Sequence, residues 1–103
     1  MSLEHTRQKF WEALGCLIGA SPIQDRLAHA ALLLVTLAPR EVAALPEEIQ
    51  SRFTAWMDTF ERHPAEIPGE GTIHASARKL TSVEGVKLAR EVLDIYVTLH
   101  GGI

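Results

Sequence analysis

The first third of the chain carries two segments in which apolar side chains recur with the period of an α-helix. In the first segment the apolar positions stand at i, i+4, i+7 and i+8, the spacing of one helical face: Phe10, Leu14, Leu17 and Ile18. Trp11 widens this face, Ser2 can cap the start of the helix, and Gly19 can end it. The pattern predicts a first helix over about residues 3–19.

The second segment combines a sharp start signal with apolar residues all around the helix. Ser21, Pro22 and Gln24 match a capping box with proline at the first helical position. One face of the helix is formed by Ile23, Leu27, Ala30, Ala31, Leu34 and Leu37. The apolar residues on the other side are Leu32, Leu33 and Val35. A helix that is apolar all around is usually buried on every side, so residues 22–37 are predicted at the centre of the bundle or in a dimer interface.

A third helix follows a short connection bracketed by prolines. Residues 40–45 lie between Pro39 and Pro46, and so short a stretch predicts a single helical turn. Pro46 and the two glutamates after it suit a helix start, and Pro64 disfavours helical backbone just before it. The predicted core face is Ile49, Phe53, Trp56, Met57 and Phe60. We therefore predict a helix over about residues 46–62.

The last third of the chain predicts a loop and two more helices. Residues 63–71 hold two prolines and two glycines without a helical period, which is typical of a surface loop. A short helix over residues 73–80 follows, and Thr81 with Glu84 forms a capping box before a final helix over residues 82–100. The side chains predicted to point inward from that last helix are Val86, Ala89, Val92, Leu93, Tyr96 and Val97.

These elements predict an all-α fold, a small bundle of four main helices and one short helix. No strand-type alternation of useful length occurs. At 103 residues the chain has the length of one domain, so we predict a single helical-bundle domain over residues 1–103. A chain so small buries a limited apolar surface, to which a second copy could add. A homodimer is therefore a candidate state of this protein.

The composition narrows the class of protein. Hydrophobic residues make up 47% and charged residues 22% of the chain, which is ordinary for a globular domain and excludes a wholly disordered one. The formal net charge is −3, so the chain does not have the excess of basic residues that is typical of nucleic-acid binders. The single cysteine, Cys16, cannot form a disulfide within the chain, and neither a secretion signal nor a membrane-spanning run is present, so we expect a cytoplasmic protein.

No group of residues shows the spacing of a catalytic or cofactor motif. The five histidines include no pair three or four positions apart, and the cysteine has no histidine near it in sequence. Two pairs of an acidic residue and a histidine stand four positions apart, Asp25 with His29 and Glu70 with His74. Each pair offers a metal ion only two ligands. The glycine-containing turn before Thr72 lacks the lysine of a phosphate-binding loop. The sequence predicts no enzymatic activity, no metal and no cofactor.

One alternative is a helix-turn-helix DNA-binding regulator built from residues 73–99. Two helices follow one another there across a tight turn, with small and apolar side chains spaced somewhat as in that motif. The candidate DNA contacts are His74, Arg78, Lys79, Lys87 and Arg90. These cations are few for a protein that must contact several phosphates, so nucleic acid is the less favoured partner.

The function that fits these observations best is a non-enzymatic interaction or regulatory protein that associates with itself or with another protein. So small a chain cannot bury every face of the second helix, whose apolar coverage therefore points to a partner. Tryptophan is a frequent anchor of protein interfaces. The residues predicted at the interface are Trp11, Leu32, Leu33, Val35 and Trp56.

Overall fold

Residues 3–100, which a computed structural model describes, form six helices and no strand. The helices are α1 (Glu4–Leu17), α2 (Ile23–Leu34), α3 (Pro39–Ala43), α4 (Glu47–Thr59), α5 (Thr72–Arg78) and α6 (Ser82–Leu99). The predicted all-α class is confirmed, and α3 is a five-residue helix where the sequence predicts a single turn. Within this range no helix combines the length and the apolar character that crossing a bilayer requires.

The capping box predicted at the start of α6 is confirmed. The Thr81 hydroxyl accepts a hydrogen bond from the Glu84 amide (3.1 Å), and the Glu84 carboxylate accepts one from the Thr81 amide (2.8 Å). The predicted cap of α1, Ser2, lies outside the described residues. The predicted end of α1 at Gly19 is wrong by two positions, because the helix already ends at Leu17.

The capping box predicted at the start of α2 is wrong. Pro22 rather than Ser21 occupies the capping position, so that Gln24 is the second helical residue and not the third. From there the Gln24 side chain does not reach back to the capping residue. Its amide instead donates a hydrogen bond to the Leu80 carbonyl after α5 (2.9 Å). A tertiary contact has replaced the local one.

Small residues let the helices around α2 pack closely. α2 packs against α1, α5 and α6. The buried small residues on α1, α2 and α6 include Ala13, Ala28, Ala30, Ala31 and Gly85. A Cβ atom at Gly85 would lie 3.0 Å from Cγ1 and Cγ2 of Ile23 and 3.3 Å from Cδ1 of Leu27. The missing side chain of Gly85 therefore permits the close approach of α6 to α2.

The fourth helix packs through aromatic rings instead. Its predicted core face is confirmed, because all five residues are buried: Ile49, Phe53, Trp56, Met57 and Phe60. Phe53 meets Phe10 of α1 edge to face, with ring centroids 5.7 Å apart. The Trp56 indole donates a hydrogen bond to the Leu88 carbonyl of α6 (2.9 Å). Trp56 is thus a core residue and is not available as the interface anchor predicted from the sequence.

α6 is rotated about its axis relative to the prediction. Its buried residues are Gly85, Val92, Ile95 and Leu99. Val86 and Leu93, which are predicted to point inward, are exposed. Gly85 faces α2 because a larger residue would not fit there. Val86, the next residue, is turned by about 100° around the helix and consequently faces outward.

Several apolar residues at the ends of α1 and α2 are exposed in the single chain. Ile18 is exposed because α1 ends one residue before it. Leu32 and Val35 are exposed because the neighbouring helices cover only part of the circumference of α2, and Leu33 is half-buried. Helix α2 therefore occupies the central position that was one of its two predicted placements, but it is not buried on every side.

Candidate interaction surface

The exposed apolar side chains are concentrated on one pair of helices. Among residues 3–100 the large exposed apolar side chains are Trp11, Ile18, Leu32, Val35, Ile67, Val83, Val86 and Leu93. Five of these eight lie on α6, on α1 or directly after α1, and they are 46% to 83% exposed. Single exposed apolar residues are normal on a protein surface, whereas a contiguous group of them marks a site of interaction.

The exposed apolar residues of α6 form a stripe along the helix. Val83, Val86 and Leu93 follow one another at intervals of three and seven positions, and the half-buried Val97 comes four positions later. At about 100° per residue these four side chains fall within a sector of about 80°. Arg90 occupies the gap in the stripe. The stripe therefore extends over about four turns of α6.

α1 lies antiparallel to α6 beside this stripe. The Nε atom of Arg7, near the start of α1, donates a hydrogen bond to the carbonyl of Leu99, at the end of α6 (2.7 Å). One turn further along α1, the ring of Trp11 packs against the ring of Tyr96, with centroids 5.9 Å apart. The two contacts advance in opposite directions along the two helices. They set the register of the pair.

The register places the exposed residues of α1 next to those of α6. Ile18 directly follows the end of α1 and borders the same surface depression as Trp11. Because antiparallel helices advance equally, Ile18 lies about level with residue 89, between Val86 and Leu93. We call the combined surface the α1/α6 face, which consists of Trp11, Ile18, Val83, Val86 and Leu93.

The residues predicted at an interface are distributed over three environments. Trp11 belongs to the α1/α6 face, and Trp56 is in the core. Leu32 and Val35 form a smaller exposed patch at the end of α2, beside the half-buried Leu33. Sequence reasoning missed the other members of the α1/α6 face, which are Ile18, Val83, Val86 and Leu93. Their spacing is visible in the sequence, but a core face has the same spacing.

The basic cluster on α5 is paired with carboxylates of the preceding loop. Nε and Nη2 of Arg78 donate to the Glu70 carboxylate at 3.0 and 3.1 Å, and Nζ of Lys79 lies 2.8 Å from the Glu66 carboxylate. The hydrogen bond from Arg78 lowers the pKa of Glu70, and the one from Lys79 lowers the pKa of Glu66. Two of the candidate DNA contacts are thus engaged within the chain.

The other candidate DNA contacts lie elsewhere. His74 is half-buried, with its ring centroid 6.0 Å from that of His29 on α2. Lys87 and Arg90 are exposed on α6 and line a groove that faces α4, whereas α5 packs against α2. The structure therefore divides these cations between separate parts of the surface and does not gather them into one basic patch.

The cysteine and several of the charged side chains have structural contacts. Within residues 3–100 no three His, Cys, Asp or Glu side chains come close enough to hold a metal ion. Cys16 is half-buried and packs against the apolar core. Arg52 donates two hydrogen bonds to the Glu91 carboxylate, which raises the pKa of Arg52 and joins α4 to α6.

Comparison with known proteins adds no function to this geometry. No protein-family model, no curated protein and no solved structure matches this chain. The function must therefore be inferred from the surfaces of the chain itself. Among the described residues the α1/α6 face gathers more exposed large apolar side chains than any other part of the surface.

Proposed function

We propose that this protein is a small non-enzymatic interaction module that forms a homodimer through the α1/α6 face. The observation that carries the proposal is that five exposed, large apolar side chains lie on α6, on α1 or directly after α1, and that these two helices pack as an antiparallel pair. Monomeric proteins rarely expose a contiguous apolar patch larger than a few hundred Å². The single cysteine fits a reducing compartment, so we also propose the cytoplasm as its location.

The α1/α6 face would supply part of the area of a standard dimer interface. α6 has 18 residues and is about 27 Å long at a rise of about 1.5 Å per residue. Two helices packed about 9 Å apart present a face about 20 Å wide. By the register of the pair, α1 flanks only about the last 15 Å of α6, so the projected area is roughly 400 Å² before the relief of the side chains is counted, against about 800 Å² of accessible surface per partner in a standard interface.

A second copy of the chain is the occupant that this face favours. In a two-fold contact the same patch lies on both sides, so apolar surface meets apolar surface. Arg90 stands within the stripe, and the exposed Asp94 follows one turn later. When two α6 helices run antiparallel, Arg90 of each copy pairs with Asp94 of the other at the rim of the contact. This pairing prevents Arg90 from being an uncompensated charge in an apolar interface.

The test is the molar mass in solution. We expect sedimentation velocity to show a dimer for the unaltered chain at micromolar concentration. The double variant Val86→Glu/Leu93→Glu should be monomeric, because it would bury unpaired charges against the second copy. The matched control is Leu32→Glu/Val35→Glu, which changes two similarly exposed apolar residues of α2 and should leave the dimer intact.

Two outcomes would contradict the proposal. An unaltered chain that remains monomeric at high micromolar concentration overturns self-association. Loss of the dimer in the α2 variant, with a dimer retained in the α6 variant, moves the interface to Leu32 and Val35 and overturns the choice of face. Far-UV circular dichroism of each variant shows whether its helices are preserved.

The helix-turn-helix alternative has less support from the geometry. α5 and α6 are joined by residues 79–81, which is short enough for that motif. Of its lysines and arginines, however, Arg78 and Lys79 are ion-paired, which leaves Lys87 and Arg90 for phosphate contacts. DNA binding would appear as affinity for duplex DNA that falls with rising salt and with Lys87→Gln/Arg90→Gln. No binding at low salt would remove this alternative.

A further inference from the structure

A cleft with the chemistry of a ligand site lies where the start of α1 meets the end of α6. It is shallow and open to solvent, with a volume of about 740 Å³. The residues around it include Arg7, Trp11, Tyr96, His100, His5 and Glu4. Of these, only Trp11 also belongs to the α1/α6 face. The cleft is therefore a second feature of the same helix pair and needs no second copy of the chain.

Arg7 differs from the other half-buried arginines in the number of hydrogen bonds that it makes. Arg26 donates from two nitrogens to two backbone carbonyls, and Arg52 donates from two nitrogens to Glu91. Within residues 3–100, Arg7 donates only from Nε, to the Leu99 carbonyl. That bond holds the guanidinium in place at the cleft. No other residue in this range accepts a hydrogen bond from the two terminal nitrogens of Arg7, which a ligand carboxylate can use.

Three rings form a wall beside this arginine. The ring centroids of Trp11 and Tyr96 are 5.9 Å apart with planes at 38°, and those of Tyr96 and His100 are 4.5 Å apart with planes at 55°. In a single copy of the chain Trp11 is 59% exposed, so its ring can contact a ligand there. An additional planar ring packs favourably against such a wall in offset or edge-to-face geometry.

We infer that this cleft binds an aromatic monocarboxylate, a planar ring that carries one carboxylate group. The carboxylate accepts two hydrogen bonds from the terminal nitrogens of Arg7, the bidentate geometry for which a guanidinium is suited. The ring packs against Trp11 and Tyr96. Glu4 borders the same cleft and repels a second negative charge, which favours a monoanion over a dianion such as a phosphate monoester.

The two tryptophans provide a built-in readout by NMR. Trp11 borders the cleft, whereas Trp56 is 3% exposed and donates its indole N–H to the Leu88 carbonyl. Titration with indole-3-acetate should shift the Trp11 indole N–H signal saturably and leave that of Trp56 unchanged. Cyclohexanecarboxylate lacks the flat ring, benzyl alcohol lacks the charge, and phenyl phosphate is a dianion. We expect each of them to bind about tenfold more weakly.

The decisive variant is Arg7→Met, which keeps an unbranched apolar side chain and removes the guanidinium. We expect it to weaken indole-3-acetate binding about tenfold or more. Arg26→Met is the matched control, because Arg26 is also half-buried and also donates to backbone carbonyls but does not border the cleft. It should bind like the unaltered chain. If Arg7→Met does not fold, Tyr96→Leu keeps Arg7 while removing a ring from the wall and should weaken binding severalfold.

Three results would overturn the inference. They are the absence of a saturable shift of the Trp11 signal, equal binding of benzyl alcohol and indole-3-acetate, and unchanged binding by folded Arg7→Met protein. The same titration on Val86→Glu/Leu93→Glu separates the site from self-association. Binding retained in that variant supports a site within one copy, whatever its oligomeric state, and binding lost from the folded variant contradicts such a site.

Discussion

The two sides of α6 both carry apolar side chains at helical spacing, yet one side is core and the other is surface. The core side consists of Gly85, Leu88, Val92, Ile95 and Leu99, and the exposed side of Val83, Val86, Leu93 and Val97. α6 packs against α1 and α2 and, through the Leu88 carbonyl of its core side, against Trp56 of α4. The exposed side reaches only the edge of α1. What separates the two sides is the neighbour that each one has, and not its hydrophobicity.

Gly85 determines which side of α6 turns inward. α2 and α6 lie close together at Gly85, where a Cβ atom would crowd Ile23 and Leu27. Gly85, which has no side chain, therefore faces α2, and the side of the helix that contains Gly85 is the buried one. In close helix packing the smallest residue can thus be a better indicator of the buried face than the largest ones.

The largest effect on stability is expected when one side chain on each side of α6 is truncated to alanine. Ile95→Ala removes a buried side chain and should lower the free energy of unfolding by about 2 to 5 kcal/mol, because it leaves a cavity. Leu93→Ala, two positions earlier on the exposed side, should change the stability of the monomer by less than about 0.5 kcal/mol. Urea denaturation at low protein concentration measures both values. Equal losses would contradict the orientation of α6.

An intermediate effect is expected from adding side chains at glycine positions. Gly85→Val would crowd α2 and should lower the stability by about 1 to 3 kcal/mol. The control is Gly15→Ala on α1, where an added Cβ meets no atom within 4 Å. That substitution should stabilise the protein by about 0.5 to 1 kcal/mol, because alanine loses less backbone entropy in a helix. If Gly85→Val were as stable as the unaltered chain, Gly85 would not set the rotation of α6.

The smallest effect is the pH dependence of the capping box at the start of α6. The hydrogen bond from the Thr81 amide lowers the pKa of Glu84 below its ordinary value of 4.5. Because this pKa is lower in the folded than in the unfolded state, the charged cap stabilises the helix above pH 4.5 and loses that contribution as the pH falls through the lowered value. The protection factors of the amides in the first turn of α6, which compare each exchange rate with the intrinsic rate at the same pH, should therefore fall in acid. Glu84→Gln should remove this pH dependence.

Features set by residues close together in sequence could be predicted. The capping box of Thr81 and Glu84 depends on one turn of backbone, so its sequence motif was sufficient to predict it. The core face of α4 was predicted in full because its apolar residues alternate with charged and polar ones around the helix. The all-α class followed from several such local patterns together.

Features set by distant residues could not be predicted. The start of α2 depends on a bond from Gln24 to a carbonyl 56 positions away, and the rotation of α6 depends on its fit against α2. Trp11 and Trp56 both stand among apolar residues of a helix, and only the tertiary arrangement buries one and exposes the other. The cleft joins Arg7 to the end of α6, so nothing local in the sequence indicates it.

The bond between Arg7 and Leu99 spans 92 positions of the chain and therefore bears on the order of folding. During synthesis α1 and α2 emerge first and can pair as neighbours, whereas α6 is made after the other five helices. Closing so long a loop is entropically slow and comes late. α6, the helix that completes the core, also carries three of the five residues of the α1/α6 face. A nascent chain consequently cannot present the complete α1/α6 face to a second copy before its own core has closed, and assembly has to wait for folding.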